Sequence, residues 1–195
     1  MSQPLDAQIS APREGGPSFP LSQRLTRAIW NIVWTLAASW TPPFMHGWRR
    51  RLLVLFGATI ARDAHVYGSA KIWYPANLKM GKLSALGPAA DCYTMAPIEI
   101  GAYAIISQGA HLCAGSHDID DPNMQLIARP IKIGDHAWVA AGAFIGPGTI
   151  LGDGAVLGAR GVATGRTLEP WTVYAGNPAR KIRERARSAS PVLEG

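Results

Sequence analysis

A six-residue spacing of aliphatic side chains runs through most of the chain after residue 56. An amphipathic helix needs apolar residues at every third or fourth position, and hairpin proteins place their turns at irregular intervals, so neither produces a sustained period of six. A parallel β-helix does, because each hexapeptide supplies one short strand with one side chain directed inward. The positions in phase are Ile60, Val66, Ile72, Met80, Leu86, Cys92, Ile100, Ile106, Leu112, Ile133, Val139, Ile145, Leu151 and Leu157.

The glycines that follow many of these positions suit the corners of such a β-helix. Glycine adopts positive φ without steric cost, so it allows the backbone to turn between strands. Three strands make one triangular coil of about 18 residues, and residues 58–176 have room for roughly six coils. Stacked coils bury a continuous aliphatic column. Hexapeptide repeats of this kind resemble the left-handed β-helix, so we expect an all-β, left-handed parallel β-helix here.

A different apolar pattern, with the spacing of a helix, occupies residues 20–57 before the repeats. It predicts one helix over residues 21–40 and a shorter second helix over residues 44–56. The apolar side of the longer helix is predicted to carry Leu25, Ile29, Val33, Leu36 and Trp40, with Trp30, Trp34 and Ala37 alongside.

The apolar helices raise the question of a membrane. Asn31 interrupts the uncharged run, and Pro42 and Pro43 end the first helix early, so we expect no transmembrane span. Two interpretations stay open. The helices pack on the body of the protein, or residues 21–56 make peripheral contact with a membrane surface.

Both ends of the chain differ in composition from the repeats. Residues 1–19 mix Pro, Gly, Ser and isolated charges without a hydrophobic period, and they predict a mobile arm. We expect residues 177–195 to form a basic, helical tail. The chain has 19 Lys and Arg against 13 Asp and Glu, and much of the +6 net charge lies in this tail. Such a patch suits phosphorylated cofactors or anionic lipids, and the absence of aromatic-basic interleaving argues against a nucleic acid partner.

The chain has two cysteines, Cys92 and Cys113. Two are too few for a disulfide framework or a four-cysteine metal site, so we expect a reducing, cytoplasmic compartment. Cys113 is a conceivable nucleophile, but the sequence shows no group that would activate its thiol. Its position beside the inward Leu112 favours packing instead.

The six-residue period fails between Leu112 and Ile131. Residues 115–130 are therefore predicted to form an extruded loop, and loops on a rigid repeat scaffold are where function usually lies. His117 is in this loop, followed by Asp118. An imidazole accepts a proton from a hydroxyl near neutral pH, which makes His117 a candidate general base. The alternative is a surface histidine among acidic neighbours.

Three stretches resemble the hexapeptide-repeat acyltransferases, and among these the colanic-acid-type O-acetyltransferases of exopolysaccharide biosynthesis. They are residues 48–58, residues 106–118 with Gly-Ser-His-Asp, and residues 176–180, which read Gly-Asn-Pro-Ala-Arg. The resemblance covers nearly all of residues 21–187. It implies an acetyl-CoA-dependent O-acetyltransferase that transfers directly to a sugar hydroxyl, without an acyl-enzyme. It also implies a homotrimer whose active sites lie between neighbouring subunits.

The same resemblance implies roles for individual residues, with His117 as the general base. Acceptor contacts are implied for Trp138, Asp118, Ser116 and Asp91. Acetyl-CoA contacts are implied for Ala141, Ala159, Arg160, Thr164 and Arg166, with Arg180 and Arg183 near the phosphates. The position of Trp138 directly before the inward Val139 independently predicts that its side chain faces outward.

Two other function classes stay open as alternatives. One is a non-catalytic hexapeptide-repeat scaffold, and the other is a metal-dependent β-helix enzyme of the carbonic anhydrase type. His111 and His117 are six residues apart, which places them on neighbouring faces of a triangular coil instead of one above the other. Because no spaced set of zinc-binding histidines is evident, we expect no metal.

Overall fold

Short strands recur from Thr59 to the end of the structure, a computed structural model that describes residues 18–187. Nearly all of the arm predicted over residues 1–19, and the last residues of the predicted tail, lie outside the described residues. The helices are α1 (Leu21–Ala37) and α2 (His46–Leu55), and a 3₁₀ turn spans Pro75–Asn77. The strands are β1 (Thr59–Ile60), β2 (His65–Val66), β3 (Lys71–Ile72), β4 (Leu78–Met80), β5 (Ala85–Leu86), β6 (Asp91–Tyr93), β7 (Ile98–Ile100), β8 (Ile105–Ile106), β9 (His111–Cys113), β10 (Gly115–His117), β11 (Leu126–Ala128), β12 (Ile131–Ile133), β13 (Trp138–Val139), β14 (Phe144–Ile145), β15 (Ile150–Leu151), β16 (Val156–Leu157), β17 (Val162–Ala163), β18 (Thr167–Leu168), β19 (Thr172–Ala175) and β20 (Arg180–Glu184).

The strands form the three sheets of a triangular prism. Sheet A has the order β1-β4-β7-β12-β15-β18, sheet B the order β2-β5-β8-β13-β16-β19-β20, and sheet C the order β3-β6-β9-β14-β17. Successive strands of the chain visit sheets A, B and C in turn, so each set of three makes one coil. About six coils result, and the prediction of a left-handed parallel β-helix is confirmed.

The core is a stack of the in-phase residues. In sheet A, Met80 pairs with Ile60 below it and with Ile100 above it, and all three side chains are buried. Sheet B repeats the arrangement with Val66 and Leu86. Every one of the fourteen positions that the six-residue period put in phase is buried. Alanines at the corners, such as Ala104 and Ala137, are buried as well, which lets the corners close tightly.

The turn glycines allow successive coils to touch through their backbones. A Cβ atom on Gly134 would lie 2.6 Å from the backbone nitrogen of Asp153 and 2.8 Å from the carbonyl carbon of Gly152 in the next coil. These are backbone atoms in a repeating hydrogen-bond ladder, so they cannot move aside cheaply.

We expect Gly134→Ala to lower the free energy of unfolding by about 2 kcal/mol, because the added methyl group forces two coils apart. Gly47→Ala is the matched control. Gly47 lies in α2 with no atom within 4 Å of an added Cβ, so alanine there should leave stability unchanged or raise it by up to about 1 kcal/mol. Urea denaturation of both variants checks this. Equal stabilities would contradict the close approach of the coils.

The two helices cover the first coil, whose strands would otherwise present unpaired carbonyl groups. The indole N–H of Trp30 donates to the carbonyl of Ile72 at 2.7 Å, and that of Trp34 donates to the carbonyl of Ala70 at 3.0 Å. Both tryptophans are buried. The helix thus satisfies the open edge of sheet C, and such an edge is a liability when it stays exposed.

Arg49 of α2 does the same for sheet B. Its side chain is fully buried, and its Nε donates to the carbonyl of Val66 at 2.6 Å. The guanidinium also donates to the carbonyls of Thr41, Pro42 and Pro43 and to the Thr41 hydroxyl. Burial lowers the pKa of Arg49 from its usual range, but an arginine stays charged at neutral pH.

The helices differ from the prediction in their ends, and the structure shows which side of the first helix packs. The first helix ends at Ala37 instead of residue 40, and the second spans His46–Leu55 instead of residues 44–56. The broad apolar face predicted for the first helix, for which packing on the body and membrane contact both stayed open, is divided: its tryptophan side packs and much of the rest faces outward. The two tryptophans pack because their N–H groups find carbonyl partners at the edge of the first coil. Side chains of that face which are exposed are Leu25, Ile29, Leu36 and Trp40.

The predicted helical tail is wrong: the chain forms strand β20, antiparallel to β19. The physical reason is the open edge of β19 at the last coil, which offers main-chain partners to any strand that reaches it. A short helix without tertiary contacts would instead have to overcome the unfavourable free energy of helix nucleation by itself. After β20, Arg185 donates to the carbonyls of His136 and Gly154, which fixes the strand end against the prism.

Candidate active site

The predicted extruded loop over residues 115–130 is a β-hairpin. Strands β10 and β11 pair antiparallel, with Ser116 opposite Ile127 and His117 opposite Leu126. The hairpin leaves the prism after β9 of sheet C and returns before β12 of sheet A, so it projects from the corner between these two sheets. His117 and Ser116 are exposed on it.

The orientation of His117 is set by a backbone carbonyl. Its Nδ1 lies 2.7 Å from the carbonyl oxygen of Met124. A carbonyl only accepts hydrogen bonds, so Nδ1 carries the proton, and the neutral ring leaves Nε2 with a free lone pair. Met124 itself has a positive φ of 51° in the tight turn of the hairpin. The arrangement prepares Nε2 to accept a proton from a bound hydroxyl.

The acidic residues of the hairpin shape its turn. An Asp118 carboxylate oxygen accepts the backbone N–H of Asp120 at 3.1 Å, and one of Asp121 accepts that of Asn123 at 2.6 Å. These are the local bonds that aspartate makes in turns. Asp118 is exposed and close along the chain to His117, but the ring is held by Met124 and not by a carboxylate.

Asp91 lies on the outer face of sheet C, on strand β6, which is adjacent to β9, the strand that precedes the hairpin. The register pairs Asp91 with Lys71 on one side and with His111 on the other. The His111 ring in turn contacts Phe144 edge-on, with 5.3 Å between ring centroids. The face of sheet C thus presents a column of polar and aromatic side chains at the start of its strands, and the hairpin that carries His117 follows the end of β9.

An aromatic cluster at the base of the hairpin was missed by the sequence analysis. The rings of Trp73 and Tyr93 are 5.3 Å apart, and the Arg27 guanidinium of α1 lies 4.2 Å from the Trp73 ring centroid. A Cβ added to Gly115 would come within 3.2 Å of Tyr93, so the cluster adjoins the first residue of the hairpin. The available signal was the spacing of twenty residues between Trp73 and Tyr93, which equals the spacing of Ile72 and Cys92.

Cys113 borders the same cluster, opposite Tyr93 in the register. Burial raises the pKa of its thiol, and the nearby Asp91 raises it further. The thiol donates to the carbonyl of Gly115 at 3.2 Å. A protonated, hydrogen-bonded thiol is a poor nucleophile, which supports the packing interpretation of Cys113.

Except for Arg183, the residues that the resemblance assigns to acetyl-CoA fall at the two corners that flank sheet C. Ala141, Ala159 and Arg160 occupy the corner between sheets B and C in successive coils, where Arg160 N–H donates to the Ala141 carbonyl at 3.0 Å. Arg180 joins this corner, because it pairs with Ala175 at the end of β19, and its side chain is exposed. Within residues 18–187, the N–H groups of Ala141 and Ala159 donate no backbone hydrogen bond.

Thr164 and Arg166 occupy the other corner, between sheets C and A, which is the corner of the His117 hairpin. Thr164 is exposed there. Arg166 is engaged in the structure, since its guanidinium donates to the carbonyl of Ala179 at 2.9 Å and holds the chain before β20. The base of the hairpin adjoins the same corner, because a Cβ on Gly148 would lie 3.4 Å from Arg129.

Two residues to which the resemblance assigns substrate contacts, Trp138 and Arg183, lie on sheet B, apart from the residues around sheet C. Trp138 is 44% exposed on the outer face of β13, as predicted, and its indole N–H donates to the Ser107 hydroxyl at 2.9 Å. Arg183 is exposed on β20 and donates to the backbone carbonyl of Glu184. One chain therefore gathers His117, Asp91 and the two flanking corners around sheet C, and it places Trp138 on another face.

The side chains that bind metals in proteins do not converge in the part of the chain that the structure describes. Within residues 18–187, no three His, Cys, Asp or Glu residues form a group that could hold a metal ion. His111 and His117 are both near sheet C, but His111 packs on Phe144 and His117 is directed by the hairpin.

Comparison with known proteins identifies the family. No protein-family model matches the chain. The protein named colanic acid biosynthesis acetyltransferase WcaF of Escherichia coli strain K12 is 39% identical over 160 residues, which span 82% of this chain and 87% of that protein. Among solved structures, a galactoside acetyltransferase in complex with coenzyme A matches with a TM-score of 0.79 at 23% identity, covering 94% of this chain and 92% of its own.

A hexapeptide-repeat acetyltransferase of Vibrio cholerae, solved with acetyl coenzyme A, matches with a TM-score of 0.75 at 21% identity over 92% of this chain and 100% of its own. At these identities the solved structures establish the fold. The sequence relative establishes more, because its identity extends over most of both chains. The chain therefore belongs to the hexapeptide-repeat acetyltransferases of the WcaF type, and it is a transferase.

Proposed function

We propose that the protein transfers the acetyl group of acetyl-CoA to a hydroxyl of a sugar in exopolysaccharide biosynthesis, with His117 as general base. The observation that carries the proposal is the geometry of His117. Its Nδ1 proton is committed to the Met124 carbonyl, its ring is exposed, and Nε2 is therefore available to a hydroxyl. The family supplies the reaction class, and this ring supplies the group that the reaction needs.

The proposed step balances without a covalent enzyme intermediate. Nε2 of His117 takes the proton of the acceptor hydroxyl as the oxygen forms a bond to the acetyl carbonyl carbon. The carbon–sulfur bond of the thioester breaks, and the imidazolium returns the proton to the leaving sulfur. The products are the O-acetyl sugar and free CoA, and the ring regains its starting state.

The donor fits the two corners that flank sheet C. Arg160 and Arg180 are exposed at one corner and provide cations for the nucleotide phosphates. The small residues Ala141 and Ala159 leave backbone N–H groups open there, which suits the amide-rich arm of CoA. The opposite corner, with Thr164, adjoins the hairpin, so the thioester would reach His117.

The acceptor would lie on the His117 side of sheet C. Asp91 is half-buried on this face, and Ser116 and Asp118 are exposed on the hairpin, so all three offer oxygen atoms to sugar hydroxyls. Trp73 and Tyr93 add aromatic surface at the hairpin base, and aromatic faces suit the apolar side of a sugar ring.

We further propose a homotrimer in which the partner supplies Trp138. The geometry in one chain supports this, because Trp138 faces outward from sheet B while the hairpin projects from the corner of sheets C and A. Neighbouring apolar side chains support it too: Tyr103 and Ile105 are exposed beside Trp138. An apolar surface of this kind on one face suits a contact between subunits.

Mixed trimers test the shared site. Trp138→Ala alone should lower turnover about tenfold or more if it positions the acceptor. When Trp138→Ala and His117→Ala chains are co-expressed, random mixing gives about one quarter of the sites both intact residues, so activity should return to that level. If both residues acted within one chain, no site would be repaired, and the mixture would be less active than Trp138→Ala alone. Normal turnover by Trp138→Ala would remove the residue from the site.

The reaction itself is tested by the release of free thiol from acetyl-CoA with a panel of mono- and oligosaccharide acceptors. Acceptor-dependent release, with an O-acetyl sugar identified by mass spectrometry, is the expected result. Failure of acetyl-CoA and longer acyl-CoAs to bind, measured by calorimetry on the same samples, would overturn the proposed function and favour the scaffold alternative.

A further inference from the structure

Helix α1 has two apolar sides, and only one of them packs. Trp30 and Trp34 are buried against the first coil. The opposite side forms a surface that we name the α1 stripe. It consists of Leu21, Leu25, Ile29, Ile32 and Leu36, continued after the helix by Trp40 and Phe44, all between 53% and 82% exposed.

The stripe is continuous along the whole helix. Its members are spaced by three, four and seven residues, the separations at which side chains share one side of a helix. Trp40 extends it, because its indole N–H donates to the carbonyl of Leu36 at 2.8 Å and this bond holds the ring at the helix end. Five large apolar side chains on one side of α1, with Trp40 held at its end, exceed the scattered exposure that a protein surface normally has.

The stretch of chain that carries the stripe is basic, and Arg24 lines one surface pocket together with Leu21 and Leu25 of the stripe. No Asp or Glu occurs between Glu14 and Asp63, while the same stretch contains six arginines. Of these, Arg24, Arg51 and Arg62 are exposed. A cationic, apolar helix surface without acidic residues is the chemistry that lies in the interface of an anionic bilayer, with the apolar side in the acyl region and the cations at the headgroups.

We propose that the α1 stripe docks the protein on an anionic lipid surface. The helix lies in the plane of the interface and does not span it, and neither helix within residues 18–187 is long and apolar enough to cross a bilayer. Charge complementarity selects lipid over a second copy of the same segment, since a self-contact would bring arginines of the two copies together. The docking does not depend on the acetyl transfer proposed above.

Vesicle flotation with the full chain tests the docking. The probe is vesicles of phosphatidylcholine with roughly a quarter phosphatidylglycerol, beside vesicles of phosphatidylcholine alone. The stripe variant carries Leu25→Gln, Ile32→Gln and Leu36→Gln. The matched control carries Ser22→Gln, Asn31→Gln and Thr35→Gln, three exposed polar positions of the same helix, so both variants gain the same side chains.

The wild type and the control should bind the anionic vesicles, and the stripe variant should bind at least about tenfold more weakly. Binding to phosphatidylcholine alone should be weaker for every protein. Thermal unfolding and particle mass by light scattering should be the same for all three proteins, because the tryptophan side of α1 is unchanged.

Three results would overturn the proposal. One is a wild-type chain that does not bind anionic vesicles, and another is a stripe variant that binds as well as the control. The third is a stripe variant with a smaller particle mass, because a second copy of the chain would then cover the stripe. Thiol release from acetyl-CoA is read separately, so a failure of docking and a failure of catalysis are distinguished.

Discussion

We expect His117→Ala to lower kcat for acceptor-dependent acetyl transfer by about 10²- to 10⁴-fold, the usual contribution of a positioned general base. The KM for acetyl-CoA should change by no more than about twofold, because the imidazole is assigned to the acceptor hydroxyl and not to the phosphates or the amide-rich arm of CoA. His117→Gln should be equally slow, since an amide cannot take the proton. Free thiol measured against acceptor concentration gives both constants.

The control for this experiment lies two residues further along the same hairpin. Ile119 is 81% exposed at the tip, so Ile119→Ala perturbs the loop without removing a base, and it should keep turnover within about twofold. Added imidazole should partly restore His117→Ala and leave the wild type unchanged. A His117→Ala enzyme with normal kcat, or an Ile119→Ala enzyme that is equally slow, would show that the hairpin acts through its shape and not through the imidazole.

Arg49→Leu should lower the free energy of unfolding by about 3 kcal/mol, which corresponds to a fall in Tm of roughly 10 °C. The leucine cannot donate, so the carbonyls of Thr41 and Pro43 lose the donor that Arg49 gives them, while those of Val66 and Pro42 keep only His46 Nδ1 and the Met45 N–H. Each buried carbonyl that loses its partner carries its own desolvation cost. Urea denaturation, followed through the buried Trp30 and Trp34, measures the change.

Arg51→Leu is the matched control, because it makes the same substitution two residues away at an exposed position of α2. It should change the free energy of unfolding by less than about 0.5 kcal/mol. Equal effects of the two variants would mean that the loss arises from removing positive charge in α2. A fully stable Arg49→Leu protein would mean that the carbonyls find water instead, and that the buried guanidinium is not what holds α2 to the first coil.

The six-residue period predicted the core because one physical requirement governs every coil. Each short strand has a single inward side chain, so residues such as Leu86 and Ile106 can be assigned from phase alone, and both are buried in register. The break in the phase likewise located the hairpin. Residue spacing also gave the outward direction of Trp138, since it stands beside the inward Val139.

The parts that the sequence did not predict depend on partners from distant segments. The sequence left open which part of the apolar face of α1 packs, because that is decided by the carbonyls of Ile72 and Ala70, some forty residues later. Strand β20 was missed because the edge that it joins exists only after the last coil has formed. The hydrogen-bond partner of His117 is the backbone carbonyl of Met124, which the turn of the hairpin positions. The side chain at that position does not indicate where its carbonyl points, so the sequence could not predict this contact.

Closing both ends of the β-helix also limits how copies of this chain can associate. Trp30, Trp34 and Arg49 occupy the carbonyls of the first coil, and β20 occupies the edge of the last strand of sheet B. A rod of stacked coils with open ends would add further coils end to end and grow into a fibre without a defined length. Covering these edges removes main-chain templates for axial growth, which favours contacts between the flanks of the prisms and closed, rotationally symmetric assemblies.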